Sequence, residues 1–175
     1  MLLQRELEAL QLWDRRLCVA MNRALRFGAA LRLLRAVSWL GDGILWYALM
    51  LGLLVRHGEA ATLPVLHMVF VGAVCTATYK MVKRGTLRPR PFESLAAVAA
   101  GARPLDSFSF PSGHTLHAVG FSIVAIVHYP GLAVLLVPFT LLTAASRVAL
   151  GLHYPSDVLA GAAIGAAIAT ASLWI

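Results

Sequence analysis

The apolar runs of this 175-residue chain decide most of what it can become. From Val37 onward they follow one another, at about 37–55, 60–82, 115–129, 132–148 and 156–175, with glycine, proline and charged residues between them. Hydrophobic residues make up 59% of the chain and charged ones 13%, which is more apolar surface than a soluble domain of this length can hide. The runs are therefore read as membrane-crossing helices. Some are shorter than the ~20 residues an upright span needs, so they start within the polar loops or sit in thinned bilayer. The expected fold class is all-α, a polytopic membrane helix bundle of about five transmembrane helices forming a single domain over residues 1–175. In the last run Gly161 and Gly165 stand at the spacing that allows close helix packing.

The segment before these runs has a different character. Arg5, Arg15, Arg16, Arg23, Arg26, Arg32 and Arg35 all precede residue 36. Over residues 3–27, at 100° per residue, Arg15, Arg16, Asn22, Arg23 and Arg26 share one arc, with Leu17, Met21, Leu25 and Phe27 largely off it. Four arginines at the bilayer centre would each be disfavoured by ~2.5–3.5 kcal/mol, so residues 1–36 are read as an amphipathic interfacial segment rather than a span. No small-residue cleavage site follows an uninterrupted apolar core, so no signal peptide is expected. The net charge of +7 suits anionic lipid headgroups and phosphate substrates; no soluble face is left for nucleic acid. Cys18 and Cys75 are far apart in apolar surroundings and read as small core residues, with neither metal spacing nor a disulfide framework.

The longest non-apolar stretch runs from Lys83 to Gly113, and its four prolines (Pro89, Pro91, Pro104 and Pro111) argue against a continuous helix. Irregular backbone at a membrane must be buried in protein or line a wet cavity, so chemistry is sought here. Three clusters stand out: Lys83 with Arg90-Pro91, Pro111-Ser112-Gly113-His114, and Ser146-Arg147 followed by His153 and Asp157. Following the spans back and forth brings all three to one end of the bundle. Lys83, Arg90 and Arg147 supply positive charge without an obvious carboxylate partner for each, and an arginine fork suits phosphate oxygens. Ser112 and Gly113 precede a helix, so their backbone N–H groups can face an anion. His153 and Asp157 are four apart and would share one helix face, the carboxylate holding one imidazole nitrogen and leaving the other as a nucleophile or base. His114 lacks such a partner nearby in sequence and can hold a proton for a leaving oxygen.

Other polar residues have plainer readings. His57, His67, His117 and His128 are expected as packed or interfacial side chains, and Arg84, Arg88 and Arg103 as headgroup anchors. Lys80 snorkels outward from the apolar run. Asp42, between two glycines, marks a helix start.

With these residues in view, the sequence resembles the type 2 phosphatidic acid phosphatase family, which shares its site with vanadium haloperoxidases and bacterial acid phosphatases. The resemblance covers about residue 60 to the end, the expected catalytic core, and rests on three signature parts in order: Lys83-x6-Arg90-Pro91, Pro111-Ser112-Gly113-His114 and Ser146-Arg147-x5-His153-x3-Asp157. It implies a membrane lipid phosphatase in which His153 forms a phosphohistidine, Asp157 orients it and His114 protonates the leaving group. Lys83, Arg90, Ser112, Gly113 and Arg147 would hold the phosphate, with no metal and no cofactor. The implied partners are a lipid phosphate substrate, polyprenyl or glycerolipid, and the membrane lipids themselves. Membrane members commonly have six spans, whereas five are read here.

Three alternatives stand beside this. A phosphotransferase would pass the same phosphoryl group to a hydroxyl acceptor. A haloperoxidase is the weaker reading, since those relatives are larger and soluble. A non-catalytic lipid-phosphate binder would not need His114, His153 and Asp157 in these registers. The expected location is the cytoplasmic membrane. Because positive charge is retained inside, the arginine-rich segment and the catalytic loops are placed on the cytoplasmic face, with Ile175 outside. Should residues 16–40 span after all, the site would face outward.

Overall fold

Glycines and prolines cut the sequence into eight α-helices among the described residues, 2–174 of the computed structural model: α1 (Leu2–Asn22), α2 (Gly28–Trp39), α3 (Leu45–His57), α4 (Thr62–Thr86), α5 (Pro91–Ser94), α6 (Gly113–His128), α7 (Ala133–Ala149) and α8 (Pro155–Ser172). Pro91 and Pro155 each open a helix, where a missing N–H costs nothing. Every regular element among these residues is helical. The apolar run expected over 37–55 is not one straight rod. Asp42 and Gly43 leave helical geometry, with Gly43 at φ +122°, so α3 starts a little beyond the aspartate that marked it.

Short turns join α3 to α4, α6 to α7 and α7 to α8, which makes each pair antiparallel neighbours. One end of the bundle gathers histidine and hydroxyl side chains. His57 stacks on Tyr129 with ring centroids 4.9 Å apart, and His67 bridges His128 (3.2 Å) and the Ser172 hydroxyl (2.8 Å). The opposite end gathers Lys83, Arg90, Arg147 and Asp157. Between the ends, Trp46 sits against Phe121 and Phe139, and Met68, Val71, Cys75, Leu116 and Leu136 are fully buried. α8 lies directly on α6. A Cβ at Gly161 would stand 2.5 Å from the Ser112 carbonyl oxygen, and one at Gly165 would overlap the Leu116 carbonyl. The small-residue spacing read from the sequence thus sets the distance between two motif-bearing helices.

The outward surface is greasy. Val134 is 84% exposed and Val55 79%, with Leu63, Phe70, Leu141 and Leu159 also open. Such a continuous apolar exterior is a membrane protein's surface, since water-facing apolar patches stay small in soluble monomers. The stretches Gly28–Ser94 and Pro130–Ala149 contain length and hydropathy enough to cross a bilayer, while α6 is apolar but shorter. Ile175 lies outside the described residues.

α1 and α2 fold over the charged end, α1 against α7 and α8, α2 against α7. Arg15, Arg16, Arg23 and Arg26 point outward as expected. Asn22 does not share their arc. It is buried, its amide donating to the carbonyls of Ala99 and Ala149 and its oxygen accepting from Ala99 N–H, each at 2.9 Å. Asp14, Cys18 and Asn22 recur every fourth residue and form a separate buried stripe.

Candidate active site

The helix ends that carry the three motifs converge. Lys83 closes α4, Gly113 and His114 open α6, Arg147 closes α7, and His153 sits in the short loop before α8. Together with Arg90 they line one cavity of about 680 Å³, whose far wall is apolar (Trp46, Met50, Val69, Gly72 and Phe121). Ser112 and Asp157 are fully buried behind the lining. The loop between α4 and α6 is fastened to the loop before α8 by backbone bonds, Phe92 N to Gly151 O (3.2 Å) and Gly101 N to Leu150 O (2.9 Å). Gly151, at φ +72°, makes the approach possible: a Cβ there would stand 2.7 Å from the Ala99 carbonyl oxygen.

His153 is 2% exposed, and its Nδ1 lies 2.6 Å from the Ser109 carbonyl oxygen. A carbonyl only accepts, so Nδ1 carries the proton and Nε2 keeps its lone pair. Nε2 faces Arg90 Nη1 at 3.4 Å on the cavity side. Burial, and then the charges of Arg147, Arg90 and Lys83, hold this imidazole well below its ordinary pKa, hence neutral. The pairing differs from the sequence expectation. Helix α8 begins after His153, so the two residues do not share its face, and Asp157 Oδ2 lies 3.9 Å from Nδ1. That carboxylate instead accepts from Tyr154 N (2.8 Å) and from Arg88 Nη1 (2.5 Å). The direct partner of Nδ1 is a main-chain oxygen.

On the cation side, Lys83, Arg90 and Arg147 are all buried. A carboxylate that the sequence reading passed over meets two of them: Asp106 accepts from Lys83 Nζ at 2.6 Å and from Arg90 Nη2 at 2.7 Å. Asp106 remains 37% exposed, at the cavity mouth. Arg147 Nη1 donates to the Ser38 hydroxyl (2.5 Å), and its Nε has no hydrogen-bond partner among the described residues. A buried guanidinium with an unmet donor is costly unless an anion completes it. His114 Nε2 lies 3.6 Å from Asp42 Oδ1 across the same cavity. The N–H of Ser112 is spent on the Asp157 carbonyl (3.0 Å), tying the second motif to the third, so the first-turn amides left without an intrahelical partner include those of the cavity-lining Gly113 and His114. His117 is packed in the wall, donating from Nδ1 to the Gly113 carbonyl (2.8 Å) and accepting from Thr76 (3.0 Å).

Arg88 is not a headgroup anchor. Its guanidinium lies between two buried carboxylates, Asp157 (2.5 Å) and Asp14 (2.7 Å), and stacks on Tyr154 with its centre 4.0 Å from the ring centroid. Among the described residues, no group of three or more His, Cys, Asp or Glu is placed to hold a metal ion.

Cations and a neutral imidazole thus edge an apolar-walled cavity at one end of a membrane helix bundle, and comparison with known proteins places the chain in a family. The PAP2 superfamily model matches residues 64–175, and the chain belongs to that family. It is 34% identical over 87 residues to the lipid A 4'-phosphatase of Bacteroides thetaiotaomicron, covering 46% of this chain and 38% of that protein. It is 34% identical over 97 residues to the decaprenylphosphoryl-5-phosphoribose phosphatase of Mycobacterium tuberculosis, covering 54% and 51%. The chain thus matches about half or less of the length of these curated relatives. Among solved structures, Aquifex aeolicus LpxE superposes with a TM-score of 0.78 at 26% identity, covering 91% of this chain and 94% of that one. The transmembrane PAP2-type phosphatidylglycerolphosphate phosphatase of Bacillus subtilis superposes at 0.76 and 24% identity, covering 95% and 85%.

Proposed function

We propose that the chain is an integral membrane phosphatase that hydrolyses the phosphate or diphosphate monoester of a lipid through a phosphohistidine on His153. One observation carries this reading: the unprotonated Nε2 of a buried, neutral imidazole faces a cavity edged by Lys83, Arg90 and Arg147. In this mechanism Nε2 attacks phosphorus, forming the N–P bond as the bond from phosphorus to the lipid oxygen breaks. His114 gives its proton to that oxygen, then takes one from the water that hydrolyses the phosphohistidine. The three cations and the amides of Gly113 and His114 neutralise the equatorial oxygens, so the charge stabilisation comes from fixed protein groups. Ser112 and Asp157 act from behind, fixing the α6 start and the α8 cap. The apolar wall suits a polyprenyl or acyl chain, and the names of the relatives place lipid phosphates among the substrates of such proteins.

In this reading the chain forms one domain, with α3, α4, α6, α7 and α8 as five spans and α1 and α2 lying at the interface. The arginines of α1 and α2 stand at the same end as the site, which by the positive-inside rule favours the cytoplasmic face. Impermeant thiol labelling of a cysteine at Arg103 in intact cells tests this, and labelling there would place the site outside. The activity itself is tested on purified protein in detergent with a panel of polyprenyl and glycerolipid phosphates. Release of inorganic phosphate unaffected by chelator, inhibited by vanadate and leaving an acid-labile phosphoprotein is the expected result. Activity lost in chelator and restored by Mg²⁺, or phosphate found only on a hydroxyl acceptor, would overturn it.

A further inference from the structure

α1 lies outside the matched region 64–175, yet it reaches the machinery around His153 through one side chain. Asp14 is 1% exposed. Its carboxylate accepts from Ser156 N (2.9 Å), from the Ser156 hydroxyl (2.5 Å) and from Arg88 Nη2 (2.7 Å). Arg88 holds both groups that flank Nδ1 of His153. Its side chain grips Asp157, and its carbonyl oxygen accepts from Ser109 N at 2.9 Å. Ser109 in turn offers the carbonyl that receives the Nδ1 proton.

We propose that Asp14 is a positioning residue for His153, acting through Arg88: it fixes the residue that sets both the Ser109 carbonyl and the Asp157 carboxylate, and so holds the nucleophile's tautomer and aim. A half-buried arginine held between two buried carboxylates has one stable place, whereas with Asp157 alone it is free to swing toward that single partner. Asp14 touches no reacting atom. The helix that looked like a membrane anchor becomes part of the site, and the inference rests on His153 being the nucleophile.

The test compares Asp14→Asn, Arg88→Met and the double variant. Loss of an outer partner of a catalytic group is typically worth about 10–100-fold, and Asp14→Asn should lower kcat by that much with KM within about twofold, because the cations of the cavity are untouched. If Asp14 works through Arg88, the double variant is no slower than Arg88→Met. Asn22→Ala loosens the same helix without touching Arg88 and should leave kcat near wild type. Nitrogen-15 spectra of the histidines supply a readout independent of turnover: Asp14→Asn should lower the Nδ1–H population of His153. Should Asp14→Asn fail to fold, Ser156→Ala, which removes the hydroxyl that Asp14 and Arg88 both hold, should give a few-fold fall in kcat with the same spectral change. An unchanged kcat and tautomer, or losses that simply multiply, would overturn the role of Asp14. Absent phosphate release by the wild type would sink the phosphatase reading instead, and the spectra would still decide for or against Asp14.

Discussion

Arg88 and Arg90 are two residues apart and meet carboxylates of different kinds. Arg88 lies between Asp14 and Asp157, both essentially buried, and its charge is fully answered within the protein. Among the described residues, Arg90 shares with Lys83 a single ion-pairing carboxylate, Asp106, that is 37% exposed, while the guanidinium of Arg147 beside them donates only to the Ser38 hydroxyl. One network is closed and fixes orientation. The other is deficient in negative charge by construction, in a place where burying cations is expensive. A phosphoryl dianion would supply the missing charge. The closed network is therefore expected to act on kcat through the aim of His153, and the open one on substrate binding as well as on the transferring phosphoryl group.

The largest break comes from removing the group on which both networks converge. His153→Asn should reduce turnover on the order of 10⁴-fold or more, with no phosphoprotein trapped at any pH. Persistent labelling of the variant would move the nucleophile elsewhere. His114→Ala should cost roughly 10²–10⁴-fold with a lipid alcohol leaving group, the usual worth of general acid catalysis. An aryl phosphate, whose leaving group needs little protonation, should recover most of that loss, whereas His153→Asn should gain nothing. Equal losses on both substrates would remove His114 from the acid role.

The sequence made the open network legible and the closed one nearly invisible, for a physical reason. Lys83, Arg90, Gly113, His114, Arg147 and His153 line one cavity from helix ends, and their types and spacings can be read along the chain. Alternating helices then bring them together, and apolar runs mark those helices well. Arg88 sits in a basic stretch where nothing local separates a gripped guanidinium from a solvated one. Asp14 pairs across 74 residues with Arg88, and the arginines around it drew attention to the opposite face of α1. The Asp14, Cys18, Asn22 repeat was the available signal: a polar stripe at helical spacing implies polar partners. The four-residue interval from His153 to Asp157 suggested a helical pair, but Pro155 starts the helix only after His153, which handed the imidazole to the Ser109 carbonyl. The break at Asp42 and Gly43 was legible as a boundary, though not that it would set Asp42 opposite His114.

Asp106 sharpens the comparison at smaller scale. Its oxygens occupy the donors of Lys83 and Arg90 that a substrate phosphate would need, so it competes with substrate for the cradle. Removing that competitor with Asp106→Asn should lower KM and the vanadate inhibition constant by a few-fold, the range of ~0.2–1 kcal/mol typical of partly exposed ion pairs. kcat should change little, since the closed network is intact. A raised KM would mean that Asp106 organises the cations rather than masking them.

The smallest effect expected is on stability, and it probes the same imbalance from the side of His153. Burial and the uncompensated cations keep its folded pKa well below the ordinary imidazole value. Below about pH 6.5 the unfolded chain accepts a proton there that the folded chain refuses, so the unfolded state binds more protons. The stability tied to His153 is thus fully present above that pH and is lost as pH falls toward the depressed folded value. The loss is bounded at about 1.4 kcal/mol per pH unit. Thermal midpoints in detergent should fall between pH 7 and pH 5, and His153→Gln should fall less over the same range. Closing the open network with saturating vanadate should shrink the wild-type slope, because a bound anion offsets the three cations. Identical slopes for wild type and His153→Gln would mean that folded His153 takes up its proton as readily as the unfolded chain, and a protonated imidazole has no lone pair with which to attack phosphorus.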